Sequence, residues 1–158
     1  MVHEVSLPRM VKVRQHFHAP EIKDAAAGVR EAILNADVLT RIAKGDRVAL
    51  AVGSRGIAEI PVVVREVVAA VKSAGGIPFI VPAMGSHGGA TAQGQQSVLE
   101  HLGVTEQYTG APIKASMEVI QVGTLPNGLP VYTDKHAFEA DKVIVINRIK
   151  PHTAFRGV

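Results

Sequence analysis

Cysteine and tryptophan are absent from the 158 residues, and aromatic residues make up only 4%. Without cysteine the chain can form neither a disulfide nor a thiolate metal site, and its compartment is left open, with the cytoplasm as the default. No apolar run approaches the roughly 20 residues of a membrane helix, so no membrane contact is expected. The longest candidate, residues 60–71, carries Arg65 and Glu66 in its middle. His3, Glu4, Pro8 and Arg9 interrupt the start, where a signal peptide would need an unbroken apolar stretch. The net charge is +3, but the basic residues form no run. Nucleic-acid binding needs a basic stripe with stacking or groove-reading elements, and is therefore not expected. A small anionic molecule suits the mild positive balance.

Hydrophobic residues make up 47% of the chain, enough for one domain with a buried core. Residues 10–16 alternate apolar and polar side chains, as a half-buried or edge strand does. Pro20 then opens a helix on which Ile22, Ala25, Ala26, Val29, Ile33 and Ala36 share a face. Residues 47–52 read as a strand. Across residues 58–73, Ile60, Val63, Val64, Val67, Val68 and Val71 form an i, i+3, i+4 stripe, which outweighs the weak helix propensity of valine. Gly75-Gly76 ends that helix, a short strand covers residues 77–81, and a third helix fits 91–102 with Thr91 as N-cap.

Beyond Gly103 the pattern changes. Residues 113–122 and 129–133 read as strands joined at Pro126-Asn127-Gly128, since Asn-Gly tolerates positive φ in a hairpin. A short helix or turn follows at 136–140. The Val-Ile-Val-Ile run within 142–147 is then expected in the middle of a sheet covered on both faces. The fold class expected is α/β: a three-layer αβα open sheet, mostly parallel, with a β-hairpin insertion near Asn127. A central strand should lead into a crossover helix, and residues 153–158 leave no room for one. The chain, residues 1–158, therefore reads as the amino-terminal domain of a longer two-domain protein.

Three strands run into turns that carry one cationic or imidazole side chain each. These are Gly53-Ser54-Arg55-Gly56, Gly85-Ser86-His87-Gly88-Gly89, and the segment bearing Arg148, Lys150, Pro151 and His152. Ligands of an open α/β sheet sit at the carboxyl ends of its strands, so the turns should meet at one rim. Glycines around His87 let backbone approach a ligand and offer N–H donors to an anion. The histidine suits acid/base work near neutral pH, although a tight turn with an incidental surface histidine has the same composition. Arg55 beside the Ser54 hydroxyl could grip a carboxylate or phosphate, or simply sit on an exposed loop. Pro151 fixes the entry angle of the loop that presents His152.

Other constellations are weaker. The glycine turns lack the order G-x-G-x-x-G, and no G-x-x-x-x-G-K-[ST] exists, which excludes the common dinucleotide and P-loop fingerprints. His16-x-His18 has metal-like spacing but no third ligand nearby, so it reads as a solvated strand end. His101 and His136 read as surface residues.

Gly-Ser-His-Gly-Gly-Ala-Thr at 85–91 with Gln93-Gly94-Gln95, and Ile-Asn-Arg-Ile-Lys-Pro-His-Thr-Ala-Phe-Arg-Gly at 146–157, resemble the amino-terminal domain of the lactate racemase family. The resemblance is to the uncharacterised branch of these nickel-pincer nucleotide enzymes, which act on 2-hydroxy acids. It implies that His87 and His152 are the acid/base pair, working on opposite faces of the substrate, while the α-hydride goes to the cofactor and returns. It implies substrate binding by Arg55 and Ser54, and cofactor contact by Gly85, Ser86, Gly88, Gly89 and Lys150. The lysine that carries the nickel-pincer nucleotide and the histidine that ligates nickel are implied to lie beyond His152, in a carboxy-terminal domain, so that no metal ligand is assigned here and this chain alone should be inactive. The substrate partner implied is a small anionic 2-hydroxy acid, and homo-oligomerisation is left open. The family's first loop reads Asp-x-Thr-Arg-Pro, whereas here it is Val52-Gly53-Ser54-Arg55-Gly56. Two other readings use the same rim: a non-catalytic binding domain for an anion or nucleotide, and a histidine acid/base isomerase or dehydratase.

Overall fold

The computed structural model describes residues 10–54 and 56–149. Three parallel strands make the main sheet: β1 (Arg47–Val52), β2 (Ile77–Pro82) and β5 (Lys142–Ile146), in the order β2-β1-β5. Strands β3 (Val119–Thr124) and β4 (Pro130–Asp134) form a separate antiparallel hairpin, with a register shift between Gln121 and Gly123. Its turn closes through Gly128, at φ 84°, whose amide donates to the Leu125 carbonyl. The α/β class and the hairpin near Asn127 are as the sequence predicts.

Helix α2 (Ile60–Ser73) connects β1 to β2 and supplies most of the core. Its valine stripe explains why: Val64, Val67, Val68 and Val71 are all buried, against Val48, Leu50 and Val52 of β1. Burial of such side chains is worth about 1.5–3 kcal/mol each, which outweighs the few tenths that valine loses as a helix former. At its carboxyl end Gly75 takes φ 86° and donates to the Lys72 carbonyl, while Gly76 donates to that of Val71. Helices α1 (Ala25–Asn35) and α3 (Ala92–His101) pack around this face, where Leu99 of α3 is fully buried. A one-turn helix, α4 (Glu106–Thr109), is capped by Thr105 and lies against α2.

The second face of the sheet carries Ala49, Phe79 and Val81. It is covered by Ala137 of α5 (Lys135–Phe138) and by Ala140, so its third layer is a single helical turn beside the hairpin. Small side chains on β1 let this thin layer come close. The Lys114 ammonium lies 4.6 Å from the Phe79 ring centroid on that side.

Four expectations are corrected. Residues 10–16 form no strand: both parities are exposed, with Met10 93% and Val11 79% accessible, so the alternation has no buried face to mark. Helix α1 begins at Ala25 instead of Pro20, because the Asp24 carboxylate accepts from the Ala27 amide and caps it there. The run within 142–147 is a strand, but β1 occupies the centre and β5 pairs only with β1 among the described residues. Val143 and Val145 are exposed on its second face. Continuous apolarity could not separate these positions, because β1 has the same composition and α2 connects it to β2. The expected strand 113–122 is also shorter: Pro112 and Lys114 bond to Ile80 in a parallel bridge, and the regular strand starts at Val119.

Candidate functional site

All three parallel strands end on the same rim, and β1 sits between its neighbours there. β2 follows β1 on one side and β5 lies on the other, which makes the carboxyl end of β1 the point where the strand order reverses. Such a switch point opens a crevice between diverging loops.

The loop after β1 presents Ser54, which is buried. Its hydroxyl oxygen lies 2.6 Å from Nδ1 of His87, 33 residues later in the turn after β2. The turn itself is built from left-handed backbone: Gly85, Gly88, Gly89 and Ala90 have φ of 61°, 64°, 67° and 54°. Three glycines make that path accessible without the Cβ conflict that a left-handed residue otherwise meets. Gly88 has a second reason to be glycine, since a Cβ there would meet the Gln95 amide nitrogen at 2.5 Å. The space beside Gly85 and Gly89 is open, with no atom within 4 Å of an added Cβ.

Helix α3 holds the turn from beneath. Thr91 caps it by accepting from the Gly94 amide and donates its own hydroxyl proton to the Gly88 carbonyl. Gln95, only 6% exposed, donates from Nε2 to the Gly85 carbonyl at 2.8 Å. Ser54, His87 and Gly88 share a cavity of about 310 Å³ with Val98 of α3 and Leu102 just past its end.

The loop after β5 is tied to the loop after β1. The Gly53 amide donates to the Ile146 carbonyl at 2.9 Å, and Arg148 Nη1 donates to the Gly56 carbonyl at 3.2 Å. Asn147 Oδ1 accepts from the Arg148 amide and would lie 2.9 Å from a Cβ on Gly53. Gly56 has φ 81°, a value that proline cannot take.

Of the side chains singled out in the sequence, Ser54 and His87 are thus brought into contact. Arg55, Lys150 and His152 lie outside the described residues. The holding roles of Gln95, Asn147 and Arg148 emerge only in three dimensions. Gln95 left a signal, being a polar residue on the core-facing side of α3. His16 and His18 are exposed, and among the described residues no group of three or more potential ligands is placed to hold a metal ion. No helix of the described residues is long and apolar enough to cross a membrane. A cavity of about 1140 Å³ between the approach to α1 and the start of α2 is lined by none of the turn residues.

The model of the lactate racemase N-terminal domain matches residues 3–157. The chain belongs to this family. The match takes in all three strand-end turns, including the segment with Lys150 and His152. No curated protein matches the chain. Where the resemblance implies a proline in the first loop, this chain has Gly56, whose backbone lies in the left-handed region, a path closed to proline.

Proposed function

We propose that this chain is the amino-terminal, proton-handling domain of a nickel-pincer nucleotide-dependent racemase or epimerase of a 2-hydroxy acid. The observation that carries the reading is the Ser54–His87 contact at the strand-order switch point, in a turn whose backbone is otherwise shaped by glycine. A histidine placed there by a buried partner differs from a solvated loop histidine: one ring nitrogen is engaged, and the other makes no hydrogen bond among the described residues.

In this reading His87 and His152 take and return the hydroxyl proton on opposite faces of the substrate. Loss of that proton leaves its electron pair to form the ketone as the α-hydride departs with its own pair. Return of hydride and proton on the other side gives the opposite configuration. The nickel-pincer nucleotide, when bound, supplies the pyridinium-type acceptor for the hydride. The open space at Gly85 and Gly89, on either side of Ser86 and His87, leaves room for the body of such a nucleotide, but the described residues offer no nickel ligand set. Gly88 is turned to α3 and serves the packing of the turn. Arg55 binds the substrate carboxylate, and Lys150 contributes a cation near the cofactor. A carboxy-terminal domain supplies the cofactor's attachment.

The test is racemisation by the full-length protein, co-expressed with the enzymes that make the cofactor. Nickel should co-purify, and a single 2-hydroxy acid enantiomer should lose optical rotation. His87→Gln should abolish that loss while leaving the fold intact. Absence of bound nickel, or full activity in a His87→Gln, His152→Gln double variant, refutes the mechanism.

A further inference from the structure

A histidine that accepts a proton at one nitrogen must already carry its other proton elsewhere. If Nε2 is to take the substrate hydroxyl proton, Nδ1 has to be protonated before the step and remain so after it. Free imidazole does not supply this arrangement, since its neutral form favours the proton on Nε2. Some group must accept from Nδ1–H in both states of the ring.

The Ser54 hydroxyl is the group within reach, 2.6 Å from Nδ1. Ser54 is itself buried, at the end of the central strand, and its backbone neighbour Gly53 is fixed to β5 through the Ile146 carbonyl. The hydroxyl therefore has a set position independent of the glycine turn. A hydroxyl oxygen accepts from an N–H whether the ring is neutral or charged, without placing a formal negative charge beside it. The opposite polarity, with the hydroxyl donating to Nδ1, would put the ring's proton on Nε2 and remove its capacity to act as base.

We infer that Ser54 is a positioning residue: it accepts a hydrogen bond from His87 Nδ1–H, holds the ring in that tautomer, and leaves Nε2 as the working atom. This deepens the reading of His87 as an acid/base group and rests on it for its catalytic consequence. It also revises the role the family resemblance implies for Ser54, from substrate contact to support of the histidine. The pattern is the one by which histidine ligands and bases generally are oriented, through the nitrogen that does not react.

The primary test needs no turnover. In the full-length protein labelled with ¹⁵N-histidine, long-range ¹H–¹⁵N spectra distinguish a protonated from an unprotonated ring nitrogen, and His87→Gln identifies the His87 signals. The neutral ring should show Nδ1 protonated and Nε2 bare. A neutral His87 protonated on Nε2 overturns the inference; the tautomer is read on the wild-type protein, His87→Gln serving only for assignment, so the reading does not depend on Ser54→Ala folding. Ser54→Ala should shift His87 toward the Nε2–H form, and Ser54→Thr should restore the native tautomer; an unchanged tautomer in a folded Ser54→Ala protein also overturns it.

The kinetic counterpart separates support from substrate binding. Ser54→Ala should lower kcat by about ten- to a hundredfold, as loss of a histidine's orienting partner does, with KM little changed. A raised KM with kcat unchanged would assign Ser54 to the substrate and overturn the inference. Should the Nδ1–H tautomer be found in a protein that racemises no 2-hydroxy acid, the hydrogen bond stands as assigned and only the proposed function fails.

Discussion

Gly94 and Gly88 meet backbone to backbone: a Cβ built on Gly94, inside helix α3, would overlap the Gly88 carbonyl of the turn that carries His87. Helix α3 is thus the seat of the turn, and the seat admits no side chain.

Gly94→Ala tests this directly. Alanine should gain about 1 kcal/mol of helix propensity over glycine, yet the clash is with main chain and no rotamer relieves it. Overpacking of this kind costs about 1–3 kcal/mol, occasionally more. The expected outcome is a lower urea midpoint together with loss of racemase activity. A variant as stable and as active as wild type would show that the turn is not seated there.

Gly56→Pro introduces the proline that the resemblance implies for this loop, and should harm the protein instead of improving it. Proline requires φ near −65°, whereas Gly56 sits at 81° and its carbonyl accepts from Arg148. A substitution incompatible with the native backbone should cost more than about 1 kcal/mol. Thermal unfolding of the purified variant measures it, and an unchanged or higher Tm would contradict the loop path described.

Part of this site is legible in the sequence. The glycine turn is marked by His87 and its flanking glycines, and the shared rim follows from strands that each run into such a turn; the switch point at β1 emerges only from the observed strand order. Ser54 was picked out for its neighbour Arg55, but its partner is His87, because 33 residues separate two loops that only the parallel pairing of β1 and β2 brings together. The place of β5 among the described residues is illegible for a related reason: an apolar run reports burial preference, and says nothing of which neighbours a strand joins. Residues 10–16 show the converse, a periodicity with no surface to receive it.

Acid should weaken the contact between α1 and α2. The hydrogen bond from Arg30, and then that from Arg65, holds the Glu66 carboxyl below its ordinary range. A carboxyl lowered on folding stabilises above its unfolded value, near 4.5, and that contribution is lost as pH falls through the lower folded value. Glu66 is 11% exposed but Arg30 is 55% exposed, so solvent screening limits the effect to about 1 kcal/mol or less. Glu66→Gln should therefore lower the urea midpoint at pH 7 and converge with wild type in strong acid. A difference that persists unchanged into strong acid would exclude this origin.

Leu99→Ala should cost about 2–5 kcal/mol, since the side chain is fully buried on the face of α3 turned to the core. Chemical denaturation measures it. A loss under 1 kcal/mol would mean that α3 rests on the core more loosely than its burial implies.

The loop after β1 touches both of its neighbours, through Ser54 to His87 and through Gly53 and Gly56 to the strand-end segment of β5. The three loops are consequently not interchangeable modules. Transplanting a relative's first loop into this scaffold would have to carry along the matching residues at 87, 147 and 148, and a graft confined to positions 52–56 would arrive without the partners that give it shape.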